Sequence, residues 1–124
     1  MVHLDTNFLI RALKQGSPEQ AKVLSWWSSP SEDVNVSTVV WAEFLCGPLP
    51  SSEENAARRF FPTPEALLPE DAELAAELFN KTGRRTRSLA DCMIAAVAIR
   101  RSAKVATINT TDFQPFVPHG LALA

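Results

Sequence analysis

Twice in this chain a short apolar alternation runs directly into a segment of helical spacing, and that recurrence restricts the fold more than any other feature. Val2-His3-Leu4-Asp5 alternates and leads into Thr6-Asn7, both good capping residues; Phe8, Leu9, Ala12 and Leu13 then recur at helical spacing up to the stop at Gly16 and Pro18. Val34-Asn35-Val36-Ser37 repeats the pattern, with Thr38 as a cap and Val39, Val40, Trp41, Phe44 and Leu45 ahead of the sharp end at Gly47-Pro48. The third strand is Lys104-Val105-Ala106-Thr107-Ile108, followed by a loop or short turn over residues 109–113, because Pro115 and Pro118 forbid a long helix. Strands separated by helices pair in parallel through right-handed crossovers. The expected class is α/β, a three-layer α/β/α sandwich around a mainly parallel sheet of four to five strands.

The remaining segments fit that plan. Residues 18–27 predict a helix, and Ser51 with Glu54 has the spacing of a capping box opening a helix that reaches Phe60-Phe61 and breaks at Pro62 and Pro64. Ala66-Leu67-Leu68 is a candidate short strand, and residues 121–124 a final edge strand. Residues 70–81 carry good helix formers, acids in the first turn and Gly83 just past the end. Ser88 opens a helix over residues 89–101 that is apolar nearly all round, so it belongs in the interior.

At 124 residues the chain reads as one domain, spanning 1–124, long enough for an unaided core. Hydrophobic residues at 46% and charged residues at 21% exclude global disorder. No apolar run approaches the ~20 residues of a membrane helix, no leader pattern opens the chain, and two cysteines exclude a disulfide-stapled scaffold, so a cytoplasmic protein is expected. Cys46 and Cys92 lie in apolar helices without a metal-spaced partner and read as buried inert thiols. Trp26, Trp27 and Trp41 read as packing residues rather than base-stacking ones, and Phe60-Phe61 with residues 72–79 as apolar surface for a partner.

The net charge of −2 conceals an asymmetry. Residues 1–80 hold five basic and twelve acidic side chains, whereas residues 81–124 hold seven basic and two acidic. The basic part contains Arg84, Arg85 and Arg87, and its two acids are Asp91 and Asp112. A local patch of this kind attracts phosphates even in a chain whose pI is 5.6, unless the arginines simply form a solvated face.

Four acids stand among apolar neighbours. Asp5 ends an apolar strand, Glu43 sits among Val40, Trp41, Phe44 and Leu45, Asp91 lies in the interior helix, and Asp112 precedes Phe113. Buried carboxylates require a partner or a cation. In an open α/β sheet, ligands bind beyond the carboxyl ends of the strands, where Asp5 and the segment around Asn109 and Asp112 should project; the first turns of the helices bearing Glu43 and Asp91 should face the same edge. Each acid also has a structural explanation: Asp5 as a helix cap, Asp91 closing a capping box with Ser88, Asp112 in a turn, Glu43 as a half-exposed helix acid. Their coincidence at matched topological positions favours a shared site for Mg²⁺ or Mn²⁺, hard cations that suit oxygen ligands and phosphodiester hydrolysis. His3, in a strand, and His119, in a Pro-His-Gly turn, read as structural rather than as general bases.

The segments HLDTNFLI, VSTVVWAEFLCG, SLADCMIAAVAI and VATINTTDF, in this order, resemble a PIN domain, specifically the small VapC-like toxins of toxin–antitoxin pairs. The resemblance runs from residue 2 to residue 113. It implies that Asp5, Glu43, Asp91 and Asp112 form the catalytic, metal-binding set. Asp112 occupies the most variable position, and Thr6, Thr107 and Asn109 are polar groups that orient ligands or substrate. It implies an Mg²⁺- or Mn²⁺-dependent endoribonuclease that cuts RNA and arrests growth, a homodimer, and a cognate antitoxin whose C-terminal segment covers the acidic crevice. Arg84, Arg85 and Arg87 are the candidates for holding the RNA backbone, with Arg11 a weaker one. A catalytically silent module that binds RNA or protein, and a metal-dependent phosphatase or DNA nuclease, use the same crevice and are the alternatives.

Overall fold

The computed structural model describes residues 1–124, the Thr86 side chain excepted. Two strand-to-helix units form where the alternation places them, β1 (Val2–Leu4) with α1 (Thr6–Ala12) and β2 (Val34–Asn35) with α3 (Thr38–Leu45); β3 (Lys104–Ala106) also runs into a short helix, α7 (Thr110–Phe113), where the sequence predicts only a loop or turn. Between them lie α2 (Pro18–Ser28), α4 (Ser51–Phe60), α5 (Pro69–Lys81) and α6 (Leu89–Arg100), and β4 (Ala122–Leu123) closes the chain. The sheet has four strands in the order β2-β1-β3-β4, every pairing parallel, with Val2 opposite both Val34 and Lys104. Helices flank it, giving the expected α/β sandwich.

The core explains why such short strands suffice. Val2, Leu4, Val36, Val105 and Ala106 are buried in and beside the sheet, and Phe8, Val40, Phe44 and Leu78 reach it from the helices. Cys92 and residues Ile94 to Ala98 of α6 are all buried, and their small side chains let α5 and β3 pack directly against this helix. All three tryptophans are half-buried in aromatic pairs, Trp26 on Phe8, Trp27 on Phe60 and Phe61, and Trp41 on Phe44, the packing role expected. Among the described residues no helix is long and apolar enough to cross a membrane.

Several local expectations are corrected. Ala66-Leu67-Leu68 is not a strand. Glu65 instead makes a single parallel bridge to Ser37, the Leu67 N–H donates to the Thr38 hydroxyl at 3.1 Å, and Leu68 becomes the N-cap of α5. With Thr38 so engaged, Ser37 caps α3, accepting from the Val40 N–H at 3.3 Å. Pro50, not Ser51, precedes α4, so no capping box forms there. Residues 110–113 are helical and continue into a 3₁₀ segment, Gln114–His119, since a proline tolerates the first turn of a helix. Cys46 is exposed because it caps the solvent end of α3; only Cys92 is buried.

Candidate active site

Asp5 sits where β1 turns into α1. Its N–H donates to the Ala106 carbonyl at 3.0 Å, which ties it to β3, and its Oδ1 accepts from the Phe8 N–H at 2.8 Å. The cap expected from Thr6 or Asn7 is therefore supplied by Asp5. Only 4% exposed, its carboxyl is raised in pKa by burial and by the charges of Glu43 and Asp112, against the opposing hydrogen bonds from the Thr107 hydroxyl and the Phe8 N–H. Capping thus explains where Asp5 points without compensating its charge.

The other three acids arrive from separate elements. Glu43 lies in the second turn of α3, and its Oε1 accepts from the Thr6 hydroxyl at 2.6 Å, which fixes an otherwise exposed side chain to the start of α1. Asp112 is exposed in the first turn of α7, and its N–H donates to the Asn109 carbonyl at 3.0 Å. Asp91 lies in the first turn of α6 and makes no capping box, because the Ser88 hydroxyl donates instead to the Arg85 carbonyl at 2.8 Å. Its carboxyl is pushed up to about 7 by burial and then by the charges of Asp112, Glu43 and Asp5. The sheet edge therefore collects all four acids into one electrostatically coupled group. None of the four has a Lys or Arg nitrogen within 4 Å among the described residues.

Thr107 links two parts of this edge, since its hydroxyl sits near enough to Asp5 to oppose the rise in that pKa and accepts from the Asn109 N–H at 2.9 Å. The donor set is entirely oxygen, and its uncompensated charge is what a hard divalent cation neutralises. It is an open arrangement. Among the described residues no three acid, His or Cys side chains converge tightly enough to make a finished cage. Mg²⁺ commonly takes one or two carboxylates and fills its remaining positions with water and substrate oxygens, so the residues present fit such an ion.

Asp91 and Asp112 line a groove of about 720 Å³ together with Arg84, Arg85 and Arg87. Thr82, Gly83, Ser88, Pro115 and Phe116 complete it. Pro115 and Phe116 were not legible as site residues: Pro115 signals only a helix limit in the sequence, and Phe116 is a core residue that shows one edge to the groove. Arg11 does not line the groove; its guanidinium lies 3.9 Å from Glu19. His3 is buried in the sheet with both ring nitrogens lacking a partner among the described residues, and His119 ends the 3₁₀ segment, so neither joins the acids.

A parallel sheet flanked by helices, with four carboxylates gathered beyond its carboxyl edge, defines an α/β fold with an acidic crevice. The PIN domain family matches residues 2–114, and the chain belongs to it. Solved structures agree over nearly the full length. VapBC2 from Rickettsia felis, bound to a DNA fragment from their promoter, superposes with a TM-score of 0.78 at 19% identity, covering 100% of this chain and 98% of that one. FitAcB from Neisseria gonorrhoeae gives 0.71 at 26% identity over 99% and 96%. A toxin–antitoxin complex from Klebsiella pneumoniae gives 0.72 at 23% over 91% and 90%. A comparison with curated proteins gives no match.

Proposed function

We propose that this PIN domain is an Mg²⁺- or Mn²⁺-dependent endoribonuclease acting as the toxin of a toxin–antitoxin pair. One observation carries the reading: four carboxylates from four elements share a sheet edge without a basic partner, beside an arginine-lined groove. Such a concentration of charge is costly to the fold and useful to a cation. A bound divalent cation supplies an activated water and shields phosphate charge. Asp5, Asp91 and Asp112 hold the ion directly or through water. Glu43, fixed by the Thr6 hydroxyl, orients the attacking water or completes the ligand set. Thr107 keeps the Asp5 carboxylate aimed into the crevice, Asn109 orients substrate, and the arginines before α6 hold the RNA backbone.

A protein partner is supported by surface as well as by kinship. A second groove, of about 240 Å³, is lined by Leu9, Val23, Leu24, Trp27 and Phe60, and Leu24 and Phe60 are 53% and 50% exposed. We assign the partners as an antitoxin, whose C-terminal segment covers the acidic crevice, and a second copy of this chain.

The test incubates antitoxin-free protein with mixed tRNA and rRNA in Mg²⁺, Mn²⁺ or EDTA, alongside Asp5→Asn, single-stranded DNA and a small phosphate ester. Discrete RNA cleavage that disappears in EDTA and in Asp5→Asn is the expected result. Equal cleavage by Asp5→Asn overturns the role of Asp5. Metal-dependent attack on DNA or the ester instead of RNA overturns the substrate class, and RNA binding without cleavage identifies a silent module.

A further inference from the structure

The three groove arginines are not equivalent. Helix α5 ends at Thr82, and Gly83 and Arg84 both take left-handed backbone angles, φ +96° and +56°. The Arg84 N–H donates to the Phe79 carbonyl at 3.0 Å, closing the six-to-one ring of a Schellman turn. That motif ordinarily adds an apolar contact between the same two positions. Here the Arg84 guanidinium supplies it, lying 5.8 Å from the Phe79 ring centroid, while its Nη1 donates to Asn80 Oδ1 at 2.6 Å. Arg84 is therefore turned back onto α5 and fixes the exit angle of the loop.

Arg85 and Arg87 make no ion pair or side-chain hydrogen bond among the described residues, although Asp91 and Asp112 line the same groove. Elsewhere the guanidiniums of Arg11, Arg58, Arg100 and Arg101 each have a carboxylate within 4 Å, and among the described residues Arg59 has none. Two unpaired cations and two unpaired anions thus line one groove. A phosphodiester strand lying in it would satisfy both sets of charge, with one phosphate beside the acids and its neighbours at the arginines.

We propose, building on the ribonuclease reading, that Arg85 and Arg87 are the groups that hold substrate phosphates, and that Arg84 instead anchors the loop to α5 without holding phosphate. The test is fluorescence anisotropy of a labelled, mixed-sequence 20-nucleotide RNA in EDTA at a series of salt concentrations, with a thermal melt of each variant. Each phosphate contact to a single strand contributes about −0.7 to the slope of log K against log salt. The double variant Arg85→Gln/Arg87→Gln should flatten the slope by about 1.4 and leave the melting temperature unchanged. Arg84→Gln should lower the melting temperature and keep the wild-type slope. The assignment is overturned if the double variant keeps the wild-type slope, if Arg84→Gln flattens it as much as the double variant does, or if the wild type does not bind RNA. RNA bound with these slopes but never cut overturns the nuclease reading and leaves the arginine assignment standing.

Discussion

Two buried aspartates do the same local job and meet opposite fates. Asp71, 1% exposed, caps the start of α5 by accepting from the Leu68 N–H at 2.8 Å, and Asp5, 4% exposed, caps α1 by accepting from Phe8 at 2.8 Å. Asp71 is also gripped by Arg100, whose Nε lies 2.8 and 3.0 Å from its two oxygens, and Arg100 and Arg101 in turn meet Glu65. Asp5 has no cation and three further acids for neighbours. Helix capping therefore requires neither the charge nor its isolation. Where the chain needs a carboxylate only for structure it supplies an arginine, and the sheet edge is where it does not.

Removing charge from each pole separates the two roles. Asp91→Asn should lower metal-dependent cleavage by on the order of 10²–10³, several kcal/mol of transition-state stabilisation, while raising the stability of the metal-free protein, measured by initial rates and thermal melts. Asp71→Ala should do the reverse. It removes a helix cap and strands Arg100, costing about 2–3 kcal/mol in urea denaturation, while the cleavage rate of the remaining folded protein stays close to wild type. If Asp71→Ala proved silent in denaturation, the contrast between the poles would fail.

Thr6→Val should cut cleavage about tenfold at unchanged stability, because Glu43 loses the hydroxyl that holds it, the usual scale for groups that orient a ligand. A subtler test uses pH. The Asp91 carboxyl is raised to about 7, so the folded state favours its protonated form; that contribution is complete below the ordinary value of 3.8 and is lost as pH rises through 7. The stability advantage of Asp91→Asn over wild type should therefore be largest above pH 7 and shrink toward pH 4, and Mg²⁺ should narrow it at pH 8 by stabilising only the wild type. His3 works in the opposite sense. Burial lowers its pKa from 6.5 to about 4, so its contribution is present above 6.5 and lost as pH falls through 4. Replacing His3 with Leu should flatten the acid limb of the melting profile alone.

The parallel class, the crossover helices and the four acids that the sheet edge brings together were legible because each is a local pattern: an alternation, a cap, a charge among apolar neighbours. That the sheet stops at four strands was not. Ala66-Leu67-Leu68 has strand composition, but the Thr38 hydroxyl and the demand of α5 for a start claim its backbone. Asp71 was equally invisible as a buried group, since only the packing of α5 on α6 brings Arg100 to it. Arg84 resembled its neighbours in sequence and differs from them only because the chain turns left-handed there.

The order of elements, the interior character of α6 and the presence of four acids among apolar neighbours follow from the sequence alone, since periodicity and capping act over a few residues. Only the tertiary structure decided which charges are compensated. Pairing depends on side chains brought within about 4 Å from distant parts of the chain, as Arg100 is to Asp71 across |i−j| = 29, and no local pattern encodes that distance.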